Sequence, residues 1–187
     1  MGNSITTTLE TGLVQRYHSA TEITRKQLVS EHAWGVATLV VYLAGKSTTV
    51  PLLIEAIGHD SGEILTGDIP APAKWAHPKF AQMVNNQEEE YRTLHTTLPP
   101  QRLEPWEKHV LKLADMLEGL VFCHRQGKTA AVVESRWFGA IVTYVGLHKD
   151  AIPMGALTKV NDLLVETGWG ELMLDGEEPT SAYVNQG

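Results

Sequence analysis

Helical periodicity is the feature that most restricts the folds open to this chain. Between residues 28 and 45, apolar side chains and one histidine recur at spacings of three, four and one, which place them on a single face of an α-helix. These residues are Leu28, His32, Val36, Leu39, Val40 and Leu43. Ser30 is the predicted N-cap, and Gly45 suits the end of the helix. Because β-branched pairs such as Val40-Val41 also fall inside helical patterns, we predict an all-α protein.

Proline and glycine residues divide the remainder of the chain into further helices. Pro51 fits the first turn of a helix through Ile57, whereas the two prolines of segment 67–72 exclude regular helix and predict an ordered loop. The polar segment 79–97, with Glu88-Glu89-Glu90, is predicted to be an exposed helix. Three more helices are predicted over residues 105–125, 129–148 and 155–167.

The length predicts one domain. No internal repeat or linker divides the 187 residues, which are enough to bury a single sizeable core. We therefore predict one helical bundle over residues 1–187, with a core over about 12–168 and a tail over about 169–187.

The charge and the single cysteine exclude several classes of protein. A formal net charge of −7 argues against nucleic-acid binding, which needs a basic surface. Cys123 has no partner for an intrachain disulfide, and its apolar neighbours predict a buried thiol in a reducing cytosol. No window contains the roughly 18 to 20 apolar residues that a membrane-spanning helix needs, and no signal peptide is visible. We therefore expect a soluble cytoplasmic protein that binds neither nucleic acid nor membranes.

Two histidines and two aspartates are candidate ligands for a metal ion. His59 and Asp60 are adjacent at the end of the second predicted helix. His32 lies in the first helix and Asp115 in a later one. Taken alone, His32 could bond a carbonyl group, and an imidazolium at His59 could interact with a helix dipole. Asp115, however, lies beside an apolar helix face, where an unpaired carboxylate is costly to bury. Together the four side chains suit a divalent transition metal, with positions left for water.

The order His, His-Asp, Asp resembles that of the HD-domain metal phosphohydrolases. Within that superfamily, the segment Gly58–Pro70, which reads GHDSGEILTGDIP, is similar to the signature of the bacterial 5′-deoxynucleotidases. The stretches Val29–His32 and Ala114–Asp115 share this resemblance, which extends over more than half of the chain. Arg16-Tyr17-His18 and Glu31–Ala37 are similar to phage-encoded relatives, which include dATP triphosphohydrolases. The resemblance implies a single HD domain whose metal is held by the four candidate ligands.

The resemblance also implies two catalytic residues. Glu63, four residues after His59, would act as general base or acid for the attacking water without binding the metal. Asp68 would accept a hydrogen bond from the sugar 3′-hydroxyl or help to position Glu63.

Five further residues are candidates for contact with the substrate. Arg16 offers a planar fork that matches phosphate oxygens, and Lys74 follows the proline-rich segment. Lys112 precedes the last predicted metal ligand by three residues and therefore shares its helix face. Tyr17 and Trp34 are predicted either to stack on the base or to belong to the core.

We therefore expect metal-dependent hydrolysis of 2′-deoxynucleotides at the 5′ α-phosphate. The favoured version converts a dNTP, with dATP favoured, to the deoxynucleoside and triphosphate. The alternative is a 5′-deoxynucleotidase that releases phosphate from dNMPs. A non-catalytic nucleotide-binding HD protein and an oxygen-activating HD enzyme are less favoured, because Glu63 and all ligands are present and no richer set for two irons is visible.

The resemblance finally implies a cofactor and an assembly. The expected cofactor is a divalent transition metal, Co, Mn or Zn, with Mg near the phosphates as a further candidate. Family members form homo-oligomers, so we expect a dimer or hexamer whose surface the apolar helices of residues 129–167 could supply. A phage-encoded protein would act in the host cytoplasm.

Overall fold

The computed structural model of the protein describes residues 3–170 and Leu172. Within this part of the chain, nine α-helices and one two-stranded antiparallel hairpin are present, which confirms the all-α prediction. The helices are α1 Ile5–Thr11, α2 Val29–Ala44, α3 Val50–Gly58, α4 Glu63–Thr66, α5 Ala71–Ala76, α6 Pro78–His95, α7 Pro105–His124, α8 Ala131–His148 and α9 Met154–Glu166. The strands are β1 Gln15–Arg16 and β2 Gln27–Leu28.

Helices α2 and α7 form the centre of the bundle. Helix α2 packs against α3, α7 and α9, and α7 packs against α8. The predicted apolar face of α2 contributes Val36 and Val40, which are fully buried in one cluster with Leu113 and Leu117 of α7. Because His32 lies one turn before Val36, the packing that buries the hydrophobic face also brings this histidine to the inside of the bundle.

The start of α2 differs from the prediction. Leu28, and not Ser30, is the N-cap, and the Glu31 carboxylate accepts a hydrogen bond of 3.1 Å from the backbone N–H of Leu28. The reason is that Leu28 ends strand β2, where it pairs with Gln15, so the backbone passes from strand to helix without a connecting residue. Ser30 therefore lies already inside the first turn.

Two further segments correct the predictions. Segment 67–72 is not entirely loop, because α5 begins at Ala71, with Pro70 as N-cap and Pro72 in the first turn, where a missing N–H breaks no helical hydrogen bond. Helix α6 is not entirely exposed, because it buries Glu88 and Arg92 against the rest of the protein. The predicted burial of the Cys123 thiol is confirmed.

The core extends into the predicted tail. The ring of Trp169 stacks on Phe138 with centroids 5.1 Å apart, and the N–H of buried Leu172 donates to Asn161 Oδ1 at 2.7 Å. Residue 171 and residues 173–187 lie outside the described part of the chain. Across the described helices, none combines the length and the hydropathy needed to cross a membrane.

A buried ion pair connects α3 to α6 and allows a prediction about stability. Arg92 donates to both carboxylate oxygens of Glu55, at 3.1 and 3.2 Å, and the two side chains are only 4% and 10% exposed. The Arg92→Met variant leaves the Glu55 carboxylate buried without its cation, so the free energy of unfolding should fall by about 3–5 kcal/mol. Urea unfolding checks this value. The double variant Glu55→Gln/Arg92→Met should lose less free energy of unfolding, because no unpaired charge stays buried. An Arg92→Met variant as stable as the wild type would contradict the prediction.

Candidate active site

The four predicted metal ligands come together between three helices. His32 comes from α2, His59 follows the last residue of α3, and Asp115 lies on α7. One ligand atom from each of these three residues lies within 4.8 Å of the others. Asp60 adjoins the cluster, with Oδ2 at 3.4 Å from His32 Nε2 and Oδ1 at 3.4 Å from His59 Nε2. Distant parts of the sequence thus converge on one point.

The hydrogen bonds of the two histidines indicate that a cation fits between them. Nδ1 of His32 lies 2.5 Å from a carboxylate oxygen of Glu118, and Nδ1 of His59 lies 3.2 Å from the carbonyl oxygen of Ala56. Both Nδ1 atoms therefore act as donors, so in the neutral form that binds a metal each ring directs the lone pair of Nε2 towards the other ring, 3.2 Å away. Two facing lone pairs and two neighbouring carboxylates all repel one another unless a cation lies between them. A divalent metal would provide that positive charge.

The charges of the cluster influence one another strongly. Burial disfavours the charged ring of His32, but hydrogen bonds to Asp115 and Glu118 outweigh it and raise the His32 pKa. For His59, by contrast, burial prevails and lowers the pKa. Although burial opposes ionisation of Asp115, the ammonium group of Lys112 and the two histidines hold its pKa well below the usual range. The carboxylate of Asp115 is therefore available as a ligand.

Glu63 lies beside the cluster, in the first turn of α4. The chain between α3 and α4 forms a turn, so Glu63 does not lie on a continuous helix with His59, as its spacing had suggested. Its side chain is buried, and Oε2 has no hydrogen-bond partner in the described structure. Burial, with the neighbouring charges of Asp60 and Asp68, raises the pKa of Glu63 to about 10. Because an isolated buried carboxyl group is costly, its place next to the cluster favours a chemical role.

Asp68 and Tyr17 connect the site to the hairpin. The backbone N–H of Tyr17 donates to Asp68 Oδ2 at 2.8 Å, and Tyr17 has a φ of 59°, a left-handed conformation that is rare for a bulky residue. The Tyr17 ring stacks on Phe122 with centroids 5.4 Å apart, while also lining the cleft next to the cluster. Both roles predicted for Tyr17 are therefore compatible with its position, and contact of Asp68 with the sugar stays a prediction.

Three predicted phosphate-binding cations line the same cleft. Arg16 is buried, and its Nε has no hydrogen-bond acceptor in the described structure, although Asp60 Oδ2 lies 3.9 Å away. Lys74 Nζ lies 3.8 Å from Glu88, and Lys112 Nζ donates to Asp115 at 2.8 Å. The cleft encloses about 650 Å³, and its wall includes His59, Asp60, Glu63, Asp68 and Asp115.

Trp34 is not brought to this cleft. Its side chain is 73% exposed on α2 and is absent from the cleft wall in the described structure. Trp34 lies two positions after buried His32, which turns its side chain to the opposite face of the helix. It therefore belongs neither to the cleft nor to the core, the two places that the sequence suggested.

The structure adds three residues that the sequence analysis missed. Glu118 bonds His32, Gln27 bonds Glu118, and Arg136 lines the cleft. Glu118 lies one turn after Asp115, so an Asp-x-x-Glu spacing on one helix face was visible in the sequence. Gln27 and Arg136 had no such pattern, because each reaches the site only through the fold.

Comparison with known proteins agrees with this geometry. A curated relative, 5′-deoxynucleotidase PM0747 of Pasteurella multocida (strain Pm70), is 30% identical over 126 residues, a match that covers 56% of this chain and 64% of the relative, less than two thirds of its length. The solved structure of the Cyanophage S-2L HD phosphohydrolase DatZ, bound to dA and one catalytic Zn²⁺ ion, aligns with a TM-score of 0.69 at 20% identity. That alignment covers 90% of this chain and 97% of the phage protein, which shows the HD fold.

The family match covers most of the chain, including every predicted ligand. Residues 8–130 match the family described as 5′-deoxynucleotidase YfbR-like, which confirms the resemblance to the bacterial 5′-deoxynucleotidases. This segment begins before the hairpin and ends after α7, so it contains the metal-ligand cluster together with Arg16, Lys74 and Lys112 of the cleft wall, but not Arg136. The chain belongs to the YfbR-like 5′-deoxynucleotidase family of HD-domain proteins.

Proposed function

We propose that the protein is a metal-dependent hydrolase that cleaves 2′-deoxynucleotides at the 5′ α-phosphate and releases the deoxynucleoside. One observation carries the proposal: two buried polar atoms without partners, Arg16 Nε and Glu63 Oε2, belong to the wall of the cleft that holds the His/Asp cluster. A donor that suits a phosphate oxygen and an acceptor that suits the proton of a water molecule are thus both available beside the candidate metal ligands.

The residues divide the chemistry among them. His32, His59, Asp60 and Asp115 would hold a divalent transition metal, which supplies a water of lowered pKa and withdraws charge from a phosphoryl oxygen. Arg16 would bind the phosphate with its free Nε–H. Glu63 would accept the proton of the attacking water, and Asp68 would hold the sugar or the hairpin that carries Arg16. Zn²⁺ in the phage relative supports Zn as the metal, with Co and Mn as the other candidates.

The cations of the cleft support the triphosphate version. A triphosphate carries more negative charge than a monophosphate and needs more cations along its length. Lys74, Lys112 and Arg136 line the cleft in addition to Arg16. Within the described residues, Arg136 is an exposed cleft arginine with no carboxylate partner, which leaves its guanidinium available for a distal phosphate. We therefore favour a dNTP, with dATP first, as substrate and triphosphate as the second product.

The monophosphate version has its own support. Lys74 and Lys112 already face the carboxylates of Glu88 and Asp115, so neither needs a further phosphate to be neutralised. The family is also described by a deoxynucleotidase activity. In this version the protein releases phosphate from dNMPs with the same ligands and the same Glu63.

A comparison of substrates decides between these versions. If Lys74 and Lys112 hold the β- and γ-phosphates, Lys74→Ala and Lys112→Ala should lower kcat/KM for dATP by roughly tenfold to a hundredfold, the value of one charge-assisted hydrogen bond, and affect dAMP less. Arg16→Ala should impair both substrates. The measurement is kcat/KM for each nucleotide with Zn, Co or Mn, with chromatography to distinguish triphosphate from phosphate as product.

Lys108→Ala is the matched control. Lys108 is exposed on α7, one turn before Lys112, and is not part of the cleft wall, so its removal changes the net charge equally without touching the site. Equal losses on dATP and dAMP, or a wild type that ignores dATP, would favour the monophosphate version. A wild type that hydrolyses neither substrate with any metal would overturn the proposed function. Homo-oligomerisation and a cytoplasmic location stay predictions.

A further inference from the structure

One carboxylate lies between the two halves of the candidate site. Glu118 Oε2 lies 2.5 Å from Nδ1 of His32, and Glu118 Oε1 accepts a hydrogen bond of 2.7 Å from Gln27 Nε2. Gln27 Oε1 in turn accepts a hydrogen bond of 3.2 Å from Arg16 Nη1, and the same nitrogen also lies 3.6 Å from Glu118 Oε2. The Glu118 carboxylate thus connects a candidate metal ligand to the candidate phosphate-binding arginine, although it lines neither the metal cluster nor the cleft itself.

The chain of hydrogen bonds has only one consistent direction. Arg16 can only donate, so the amide of Gln27 must turn its oxygen to Arg16 and its NH₂ group to Glu118. Glu118 can only accept while it is ionised, so it takes one hydrogen bond from Gln27 and one from His32 Nδ1–H. The proton of His32 is thereby held on Nδ1, which leaves the lone pair of Nε2 free at the cluster.

The backbone is arranged to make this junction possible. Strands β1 and β2 pair Arg16 directly with Gln27, so both residues depend on the same two-residue ladder. On α2, a Cβ atom at Gly35 would lie 2.6 Å from Cγ of Glu118, so this glycine leaves the space in which the carboxylate lies. His32 and Gln27 are almost fully buried, which makes an unmade hydrogen bond costly here.

We propose that Glu118 is a positioning residue that fixes both halves of the site: the His32 tautomer that a metal requires and, both directly and through Gln27, the guanidinium of Arg16. The inference rests on the proposed function for what the metal and Arg16 do. Outer carboxylates that bond a metal-ligating histidine typically change metal affinity or activity by about 10-fold to 100-fold when they are lost. Glu118 differs in that the second oxygen of the same carboxylate, Oε1, bonds Gln27, which bonds the candidate phosphate-binding residue Arg16.

The Glu118→Gln variant tests the metal half. A neutral amide at position 118 can accept from His32 only if its NH₂ group faces the NH₂ group of Gln27, which places two donors together. If the Gln27 amide flips to avoid this, its own NH₂ group faces the donor Nη1 of Arg16 instead. The affinity for Zn²⁺ alone, measured by competition with a chromophoric chelator, should fall by about 10-fold to 100-fold. Nitrogen NMR of the metal-free protein, recorded at a pH at which the His32 ring is neutral, should show that His32 no longer carries its proton on Nδ1 alone.

The Gln27→Met variant tests the substrate half. It removes the bond to Arg16 while the Glu118–His32 bond remains, so Zn²⁺ affinity should match the wild type. KM for the deoxynucleotide should rise by roughly tenfold, the range for one lost hydrogen bond, with a smaller change in kcat. This division is not expected from general destabilisation, which would lower the Zn²⁺ affinity as well as raise KM.

A double variant and a control complete the experiment. Gln27→Glu/Glu118→Gln rebuilds every hydrogen bond: the new carboxylate at position 27 accepts from Arg16 and from the new amide, whose oxygen accepts from His32. KM should return towards the wild-type value, while Zn²⁺ affinity recovers only in part because the charge has moved away from His32. The control is Glu134→Gln, which removes the charge of another buried glutamate that bonds a histidine, His124, at 2.7 Å outside the cleft wall, and should leave Zn²⁺ affinity unchanged.

The outcomes separate the inference from the proposed function. If the wild type binds Zn²⁺ and hydrolyses deoxynucleotides, yet Glu118→Gln binds Zn²⁺ as tightly and keeps the same His32 tautomer, the inference is overturned and the proposed function stands. A Gln27→Met variant whose metal affinity falls as far as that of Glu118→Gln would also overturn it. A wild type that binds no divalent metal would overturn both.

Discussion

Replacement of His59 or Asp60 by alanine is expected to remove bound metal and hydrolytic activity together. Both residues lie at the end of α3 and share contacts with His32 Nε2, at 3.2 and 3.4 Å, so either change removes one of the four groups that converge on the candidate metal. The remaining groups cannot complete the set, because the next nearby carboxyl group, Glu63, belongs to the cleft wall and not to the ligand cluster. Elemental analysis after dialysis, with activity measured on the same preparation, is the test.

A surface histidine provides the control for this experiment. His77 is exposed between α5 and α6 and is not part of the cleft wall, so His77→Ala should keep stoichiometric metal and wild-type turnover. Circular dichroism should show the same helical content in all variants. If the Asp60→Ala protein retained its full metal content and its activity, the ligand assignment would be wrong.

The Glu63→Gln variant should separate metal binding from chemistry. The amide has the shape of the carboxyl group but cannot take a proton from water, so kcat should fall by about 10²-fold to 10⁴-fold, the usual contribution of a positioned acid or base. Metal content and nucleotide affinity should stay close to those of the wild type. In the described structure the buried Oε2 of Glu63 has no hydrogen-bond partner, so its replacement breaks no bond that holds the site. Single-turnover kinetics and calorimetric titration with the nucleotide measure these quantities.

An exposed glutamate on the neighbouring helix serves as the comparison. Glu90→Gln, on α6, removes one carboxylate without altering the cleft wall and should leave kcat unchanged. Near wild-type turnover in Glu63→Gln would mean that another group handles the proton, and Asp68, whose charge contributes to the raised pKa of Glu63, would be the next residue to replace.

The long helices could be predicted from the sequence because their apolar spacing agrees with their burial. Helix α2 ends at Ala44, one residue before the glycine that was expected to end it, and α7 begins at Pro105 as predicted. The hairpin could not be predicted, since its strands have two residues each and show no alternation of apolar and polar side chains. It is held by contacts with distant residues such as Asp68, which no local pattern reveals.

The candidate ligands could also be predicted, whereas the groups that orient them could not. The order of His32, His59-Asp60 and Asp115 follows a known family, and the fold brings them together. The bond from His32 to Glu118 joins two helices across 86 positions of sequence. The second partner of Glu118 is Gln27, and glutamine is a residue type that sequence patterns do not usually mark as functional. Trp34 was predicted to stack on the base or to belong to the core; its exposed side chain excludes the core, and contact with the base stays a prediction that the described cleft does not support.

The hairpin separates the part of the molecule that carries the candidate ligands from a loop that forms another part of the cleft wall. The bundle carries the histidines and aspartates, while the segment between the two strands contributes Ser19, Ala20 and Glu22 to the cleft wall. Both ends of that segment are anchored, one by Asp68 at Tyr17 and the other by Glu118 at Gln27. An anchored loop tolerates insertions cheaply, since doubling its length costs only about 0.6 kcal/mol in closure entropy. The cleft wall next to the candidate ligands can therefore change in length and shape at this loop while the ligands keep their places in the bundle.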